Sequence, residues 1–468
     1  MLLKPTLPMN RRLLLGGLVA ASLVLRFGRA QAQAGGAYVF PLGVASGDPA
    51  PDGFVLWTRL AVDPVAPDGL GGMGGPVAVR WDVAADEAFN RIVASGEAVA
   101  DRADAHSLHI EVEGLRPDRP YWYRFTAQGQ QSPVGRTRTA PAPNADIDRL
   151  RLAVASCSNW ESGYFSAYGH MADEAPDLTL FLGDYIYEYT RTGAQAANVV
   201  RPYGLEEATT LAGYRNRYAL HRTDADLQRL HAVAPCLAVW DDHEIQDDYS
   251  GVWSKYKAFY EAMPIRRTRL DARLQMPIYR GVRYGRLAQF FMLDGRQYRS
   301  KQACADGVNG GKGQVVTDAA CPDRLDPART FLGFEQERWL YDGLARSQAR
   351  WNILGQDLVM AGLRFGNGDA ETRRVSADPS SATVATEFVG TSISSSGPPY
   401  DALMANMPNN PQIKFFDSRV RGYMSIDMDR DRMNTRYRAI SDVRDPHAAV
   451  STLNSWVVED GRPGAVAA

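Results

Sequence analysis

Apolar and polar positions along the chain follow two rhythms, and the rhythm changes near residue 140. Between residues 38 and about 140 the apolar residues come in short alternating segments, FVLWTRL, VAVRWDV, SLHIEVEGL and YWYRFTA, separated by Pro, Gly and Asp turns. Alternation at period two with a turn every few residues predicts a small all-β sandwich of fibronectin or immunoglobulin type over residues 37–140. In GLRPDRPYWYRF the tyrosines stand at a strand corner, where they would fix a loop to the sheet. TAPAPNADID then reads as a Pro-rich linker. From residue 149 apolar runs of strand length alternate with longer amphipathic stretches, which predicts an α/β (α+β) layer of mixed sheets flanked by helices over 147–460. RLRLAVASC, DLTLFLGD, CLAVWDD, LAQFFMLDGRQY and RWNILGQ read as strands. FSAYGHMADE, the long stretch GLEEATTLAGYRNRYALHRTDADLQRLHAV, SKYKAFYEAM and GFEQERWLYDGLARS read as helices. VATEFVGTSIS and RGYMSIDMDR are expected to close the domain as antiparallel strands.

The chemistry gathers where apolar runs stop. Leu178–Leu182 is continuously apolar, as in a strand covered on both faces, and it ends at Asp184. Ligands in open α/β sheets sit beyond the carboxyl ends of such strands. Two more strands end alike, giving three clusters: Ser156-Cys157-Ser158-Asn159, Gly183-Asp184-Tyr185-Ile186-Tyr187 and Asp241-Asp242-His243-Glu244. Each has an ordinary explanation when taken alone: a buried thiol, a turn cap, a solvated acidic loop. Together they are expected at one sheet edge, where several buried carboxylates need a neutralising cation. Thiolate, phenolate, imidazole and carboxylate suit a transition metal, and an all-carboxylate side suits Ca²⁺ or Mg²⁺. His106 and His109 face opposite sides of a strand, so a structural role is expected for both.

Composition narrows the partners. The 468 residues carry a formal net charge of −2 and no run of five Lys/Arg, so no nucleic-acid-binding face is indicated. Arg11-Arg12 directly precedes the apolar stretch Leu13–Leu25, and small-x-small sites follow at Ala30-Gln31-Ala32 and Ala32-Gln33-Ala34. This resembles a twin-arginine (Tat) signal peptide over residues 1–34, with delivery through the Tat translocon to the periplasm or the medium; an uncleaved anchor is the alternative. In an oxidising compartment Cys304 and Cys321 form a candidate disulfide, worth about 3 kcal/mol in the chain-entropy account. Cys236 reads as a core thiol, which leaves Cys157 unexplained.

VASCSNW, FLGDYIYEY, WDDHEIQDDYSG, LDGRQYRS, NILGQDLVMAG and ATEFVGTSISSSG, with the leading FPLGVASGDPAPDGFVLWTRL, resemble the PhoD family of exported alkaline phosphatases. The resemblance covers nearly the whole mature chain. It implies an N-terminal sandwich, a calcineurin-like metallophosphatase domain, Tat export, iron (Fe³⁺) and calcium (Ca²⁺) cofactors, and hydrolysis of small phosphate esters, monoesters before diesters. By the same resemblance Cys157 and Tyr187 are iron ligands and Asp184 bridges iron and calcium. The loop Asp241–Asp248 supplies a further calcium ligand, Asp247, where relatives often show Asn. Asp242 and His243 are the candidate catalytic residues, His243 orienting the phosphate or protonating the leaving group.

One family element is missing. The last ligands come from a GDxH motif between the NILGQ and TEFVGTSIS segments, yet residues 357–385 contain no His. Gly368-Asp369 is the nearest echo, and His447 falls in a late loop. Loss of a strand there predicts an unpaired sheet edge. It also supports a second reading, a relative that binds metal or phosphate without efficient turnover.

Overall fold

The computed structural model describes residues 36–244, 253–267, 276–304, 319–365, 370–372 and 382–468. Arg11, Arg12 and Asp247 lie outside the described residues. Val39–Ala468 forms one compact unit.

The N-terminal segment supplies strands β1 Val44–Ala50, β2 Gly53–Arg59, β3 Val77–Ala84, β4 Ile92–Ala100, β5 Ser107–Val112, β6 Pro120–Ala127, β7 Gln130–Gln131 and β8 Gly135–Arg138. Five of them, β3, β4, β6, β7 and β8, make one antiparallel sheet. Tyr121 forms the expected corner: its hydroxyl accepts from the Arg116 amide at 3.1 Å and donates to the Arg116 carbonyl at 3.3 Å. The other three strands go elsewhere. β1, β2 and β5 form the margin of a ten-stranded sheet whose centre lies in the second half of the chain, so the sheet crosses the linker near residue 140.

That centre consists of β9 Leu150–Ala155, helix α1 Ser166–Asp173, β10 Leu178–Leu182, helices α2 Leu211–Arg222 and α3 Ala225–Val233, and β11 Cys236–Val239. β9, β10 and β11 run parallel, with Phe181 beside Ala155 and Leu182 beside Val239. The single long helical stretch read from the sequence is two helices. Asp224 takes extended backbone and its carboxylate accepts from the Asp226 and Leu227 amides, so it starts a new helix rather than continuing the old one. β10 and β11 are covered on both faces, which accounts for their continuous apolar runs; Leu180, Phe181, Leu237 and Val239 pack with Tyr168, Tyr214 and Tyr218. β1 joins β11 in parallel at Gly47 and Cys236.

Helix α4 Trp253–Ala262 follows, then a three-stranded sheet of β12 Arg280–Tyr284, β13 Ala288–Met292 and, after helix α5 Phe334–Arg346, β14 Trp351–Gly355. Among the described residues β14 has β13 as its only sheet neighbour, the open edge expected where the family strand is missing. β15 Leu363–Phe365 and β16 Ala370–Thr372 form a separate short hairpin, and helix α6 Tyr400–Met404 follows. The expected strand VATEFVGTSIS is not one. It pairs with no strand among the described residues, and its bonds go to loops: the Ile393 amide donates to Ser156 O, the Ser394 amide to Cys157 O, and Glu387 accepts from the Met360 and Ala361 amides. RGYMSIDMDR is β17 Arg421–Met428, antiparallel to β9, and β18 Arg432–Ile440, β19 Val450–Glu459 and β20 Arg462–Ala467 extend the large sheet beyond it.

Candidate metal centre

Because β9, β10 and β11 are adjacent and parallel, their carboxyl ends deliver Cys157, Asp184 and Asp241–Glu244 to one place. Two of these residues leave their strands in the left-handed region, Cys157 at φ 59° and Asp184 at φ 50°, a conformation uncommon for side-chain-bearing residues and frequent at functional sites. Two backbone bonds, both donated by the first turn, hold it to the second: the Cys157 amide donates to Gly183 O at 3.2 Å and the Ser158 amide to Asp184 O at 2.8 Å. Gly183, at φ +84°, admits the third turn, since a Cβ there would lie 2.4 Å from the Asp241 Cβ.

Asp184 is buried and only half satisfied. Its Oδ2 accepts from the Tyr187 hydroxyl at 2.8 Å, while Oδ1 is buried with no hydrogen-bond partner. The half-buried Cys157 thiol lies within hydrogen-bonding reach of the Asp184 carboxylate and the Tyr187 phenol. Asp184, Asp242 and His243 each offer a ligand atom, all within 4.8 Å of one another. The structure therefore brings together Cys157, Asp184, Tyr187, Asp242 and His243.

The surroundings contain residues that the sequence left without a role. Arg296 donates through Nε to Asp241, lies 3.3 Å from Asp357, and donates through Nη2 to Asp242 at 3.0 Å. Glu188 accepts from His243 Nδ1 at 2.8 Å. Glu244 accepts from the Tyr185 and Asp241 amides, tying the second turn to the third. Arg296 lies in LDGRQYRS and Glu188 in FLGDYIYEY, so their motifs were visible although their partners were not.

Charge is unevenly distributed here. Burial pushes the Asp184 carboxyl up to about 6, with Asp242 adding and His243 opposing. Burial, then the charges of Asp184 and Asp357, raise Asp241 against the pull of Arg296. Glu244 is pushed up to about 8, by burial and by Asp184. For His243 burial works against the imidazolium, yet the bond to Glu188 and the charges of Asp184, Glu188 and Asp242 lift it to about 9. Burial and the nearby Asp184 raise the Cys157 thiol. Carboxylates outnumber cations, and burying several of them together is costly unless a cation compensates. With the orphaned Asp184 Oδ1 and a set of thiol, phenol and carboxylate donors, the residues present fit a metal, with His243 held beside them by Glu188.

The remaining candidates fall elsewhere. His447 stands on an exposed turn, its amide bonded to the Asp445 carboxylate, and does not replace the GDxH imidazole. His109 bonds Met263 O through Nε2 at 2.9 Å, and His106 Nδ1 lies 3.4 Å from Ala100 O, structural roles as expected. Cys304 and Cys321 are disulfide-bonded, and Cys236 is a buried free thiol.

Residues 152–380 match the PhoD-like phosphatase family, and residues 27–141 match the N-terminal domain of PhoD-like phosphatases. The chain is 37% identical to alkaline phosphatase D of Bacillus subtilis (strain 168), over 91% of this chain and 82% of that protein. That alignment runs over 494 positions, more than this chain has residues, so the relative contains stretches that this chain lacks. A solved structure of PhoD superposes with a TM-score of 0.82 at 36% identity, covering 93% of both chains. The chain belongs to the PhoD-like phosphatase family, and so to the phosphoric-ester hydrolases.

Proposed function

We propose that the protein is an exported, metal-dependent alkaline phosphatase that hydrolyses phosphomonoesters, with phosphodiesters as a second substrate class, by metal-activated water. The observation that carries this reading is the buried, partnerless Asp184 Oδ1 among Cys157, Tyr187, Asp242 and His243. Cys157 and Tyr187 would hold iron, Asp184 would bridge it to calcium, and Asp247 would complete the calcium side. Bound there, the ions would clamp phosphate oxygens and lower the pKa of a water molecule. Arg296 keeps Asp241 and Asp242 in place, and His243 faces the ester. The leader with Arg11-Arg12 would carry the folded protein through the Tat translocon to the periplasm or the medium. Among the described residues no helix is long and apolar enough to cross a membrane.

A second reading, a relative that binds metal or phosphate with little turnover, is favoured by residues 357–385, which lack the GDxH imidazole and carboxylate. Losing ligands commonly weakens metal affinity by large factors. One experiment separates the two: express the full chain, recover processed protein from the periplasm or medium, and measure iron, calcium and hydrolysis of a chromogenic phosphate ester at alkaline pH. The phosphatase reading expects both metals and turnover. Metal without turnover selects the second reading, neither overturns both, and retention of unprocessed chain in the cytoplasm overturns export.

A further inference from the structure

We propose that Glu188 is a positioning residue for His243, fixing the imidazole so that Nε2 is directed at the departing oxygen of the phosphate ester; this rests on the phosphatase reading above. Glu188 follows Asp184 by four residues, at the far end of the turn that carries Tyr187. Its carboxylate is buried and takes Nδ1 of His243 at 2.8 Å, which leaves Nε2 as the ring nitrogen available to substrate. The Glu188 backbone is itself pinned, its carbonyl accepting from Arg217 Nη2 at 3.1 Å and from the Ala208 amide at 2.8 Å. Aromatic neighbours confine the ring: Tyr187 packs on it with centroids 4.1 Å apart, and Tyr189 meets it edge-on at 5.5 Å. The imidazole is thus held on one edge by a carboxylate and flanked by two rings, beside Asp184 and Asp242.

The geometry points to a division of labour within FLGDYIYEY. Asp184 and Tyr187 serve the metal, whereas Glu188 serves the leaving group through His243. As the bond between phosphorus and the ester oxygen breaks and the bond from phosphorus to the incoming water oxygen forms, the proton on Nε2 passes to the departing oxygen. The proton released when the next attacking water ionises returns to the ring, so the cycle closes with hydroxide as the nucleophile and one water consumed per ester. A proton donor matters most for esters whose departing alkoxide is basic and least for nitrophenyl esters, whose phenolate leaves without help.

The test compares the full chain with Glu188→Ala and Glu188→Gln on nitrophenyl phosphate and on an alkyl phosphate, with metal content and thermal midpoint measured for each. Loss of Glu188 in the alanine variant should lower kcat for the alkyl ester on the order of a hundredfold, the lower end of general acid contributions, with a much smaller loss for the nitrophenyl ester. The glutamine variant keeps an acceptor oxygen for Nδ1 and should recover most of the alkyl turnover. If Glu188→Ala does not fold, Glu188→Met, which keeps the volume and removes the acceptor, takes its place, since a purely structural Glu188 predicts equal losses on both esters. Equal losses in variants that retain metal overturn this inference and leave the phosphatase reading standing. An unmodified chain with no turnover on either ester overturns that reading and this inference with it.

Discussion

Asp184 combines three properties that rarely coincide: a left-handed backbone, nearly complete burial, and a carboxylate oxygen with no protein partner. Each is unfavourable by itself, on the order of 1–3 kcal/mol, and together they make sense if a cation completes the site. Asp184→Asn preserves shape and removes the charge. It should abolish bound metal and hydrolysis together, read by elemental analysis and ester turnover, and retained hydrolysis would move the site elsewhere. Residues such as Cys157, Asp184 and Asp242 were legible in the sequence because each ends an apolar strand. Arg296 and Glu188 were not, because each acts across a gap of about 55 residues, and periodicity along the chain does not say which loops meet. The absent imidazole was legible for the opposite reason, as a missing letter type in a bounded segment.

At the scale of elements, buried strands declared themselves through unbroken apolar runs, and the boundary between α2 and α3 follows from one capping side chain, Asp224. VATEFVGTSIS misled because its apolar residues do not mark a covered face: Val384 and Val389 are exposed, and the segment's backbone bonds go to loops. The outer strands were missed for a related reason. RMNTRYRAI in β18 puts polar Thr435 among the alternating apolar positions Met433, Tyr437 and Ala439, so its strand pattern is interrupted. Neither did the pattern reveal that β1 enters the large sheet. Gly47 is the enabling residue, since a Cβ there would lie 2.2 Å from Pro264 O and 2.8 Å from Cys236 O. Gly47→Ala should therefore destabilise the protein by about 1–3 kcal/mol, as overpacking does. A lower urea midpoint at unchanged slope would verify it, and an unchanged midpoint would mean that the junction relaxes freely.

Over the whole molecule, the N-terminal strands are locked to the catalytic layer by polar contacts as well as by the shared sheet. Trp57 Nε1 donates to Glu261 O at 2.9 Å, Arg59 Nη1 donates to Arg215 O at 3.2 Å, and His109 stacks on Tyr260 with centroids 4.3 Å apart while bonding Met263 O. Removal from water, opposed by its backbone bonds, lowers the His109 pKa to about 4. The unfolded chain titrates near 6.5, so the contribution of neutral His109 is complete above that pH and is lost as the pH falls toward 4. His109→Gln removes this one titration. The stability advantage of the native chain over that variant should shrink between pH 6.5 and 4 by up to about 1.4 kcal/mol per pH unit, measured by denaturant unfolding at matched pH values. A constant difference would show that the imidazole is protonated within the fold.

The position of β17 determines when the protein can come into being. β9, the strand that leads into Cys157, lies between β10 and β17, and beyond β17 the sheet continues through β18, β19 and β20. During synthesis the thiol, phenol and carboxylates emerge early, while the strand that encloses them is still untranslated. The large sheet can close over β9 only after β17 has been translated, so until then the turns that carry these side chains stand on an open sheet. A chain that ended between His243 and β17 would carry Cys157, Asp184, Tyr187, Asp242 and His243 while β9 kept one flank open.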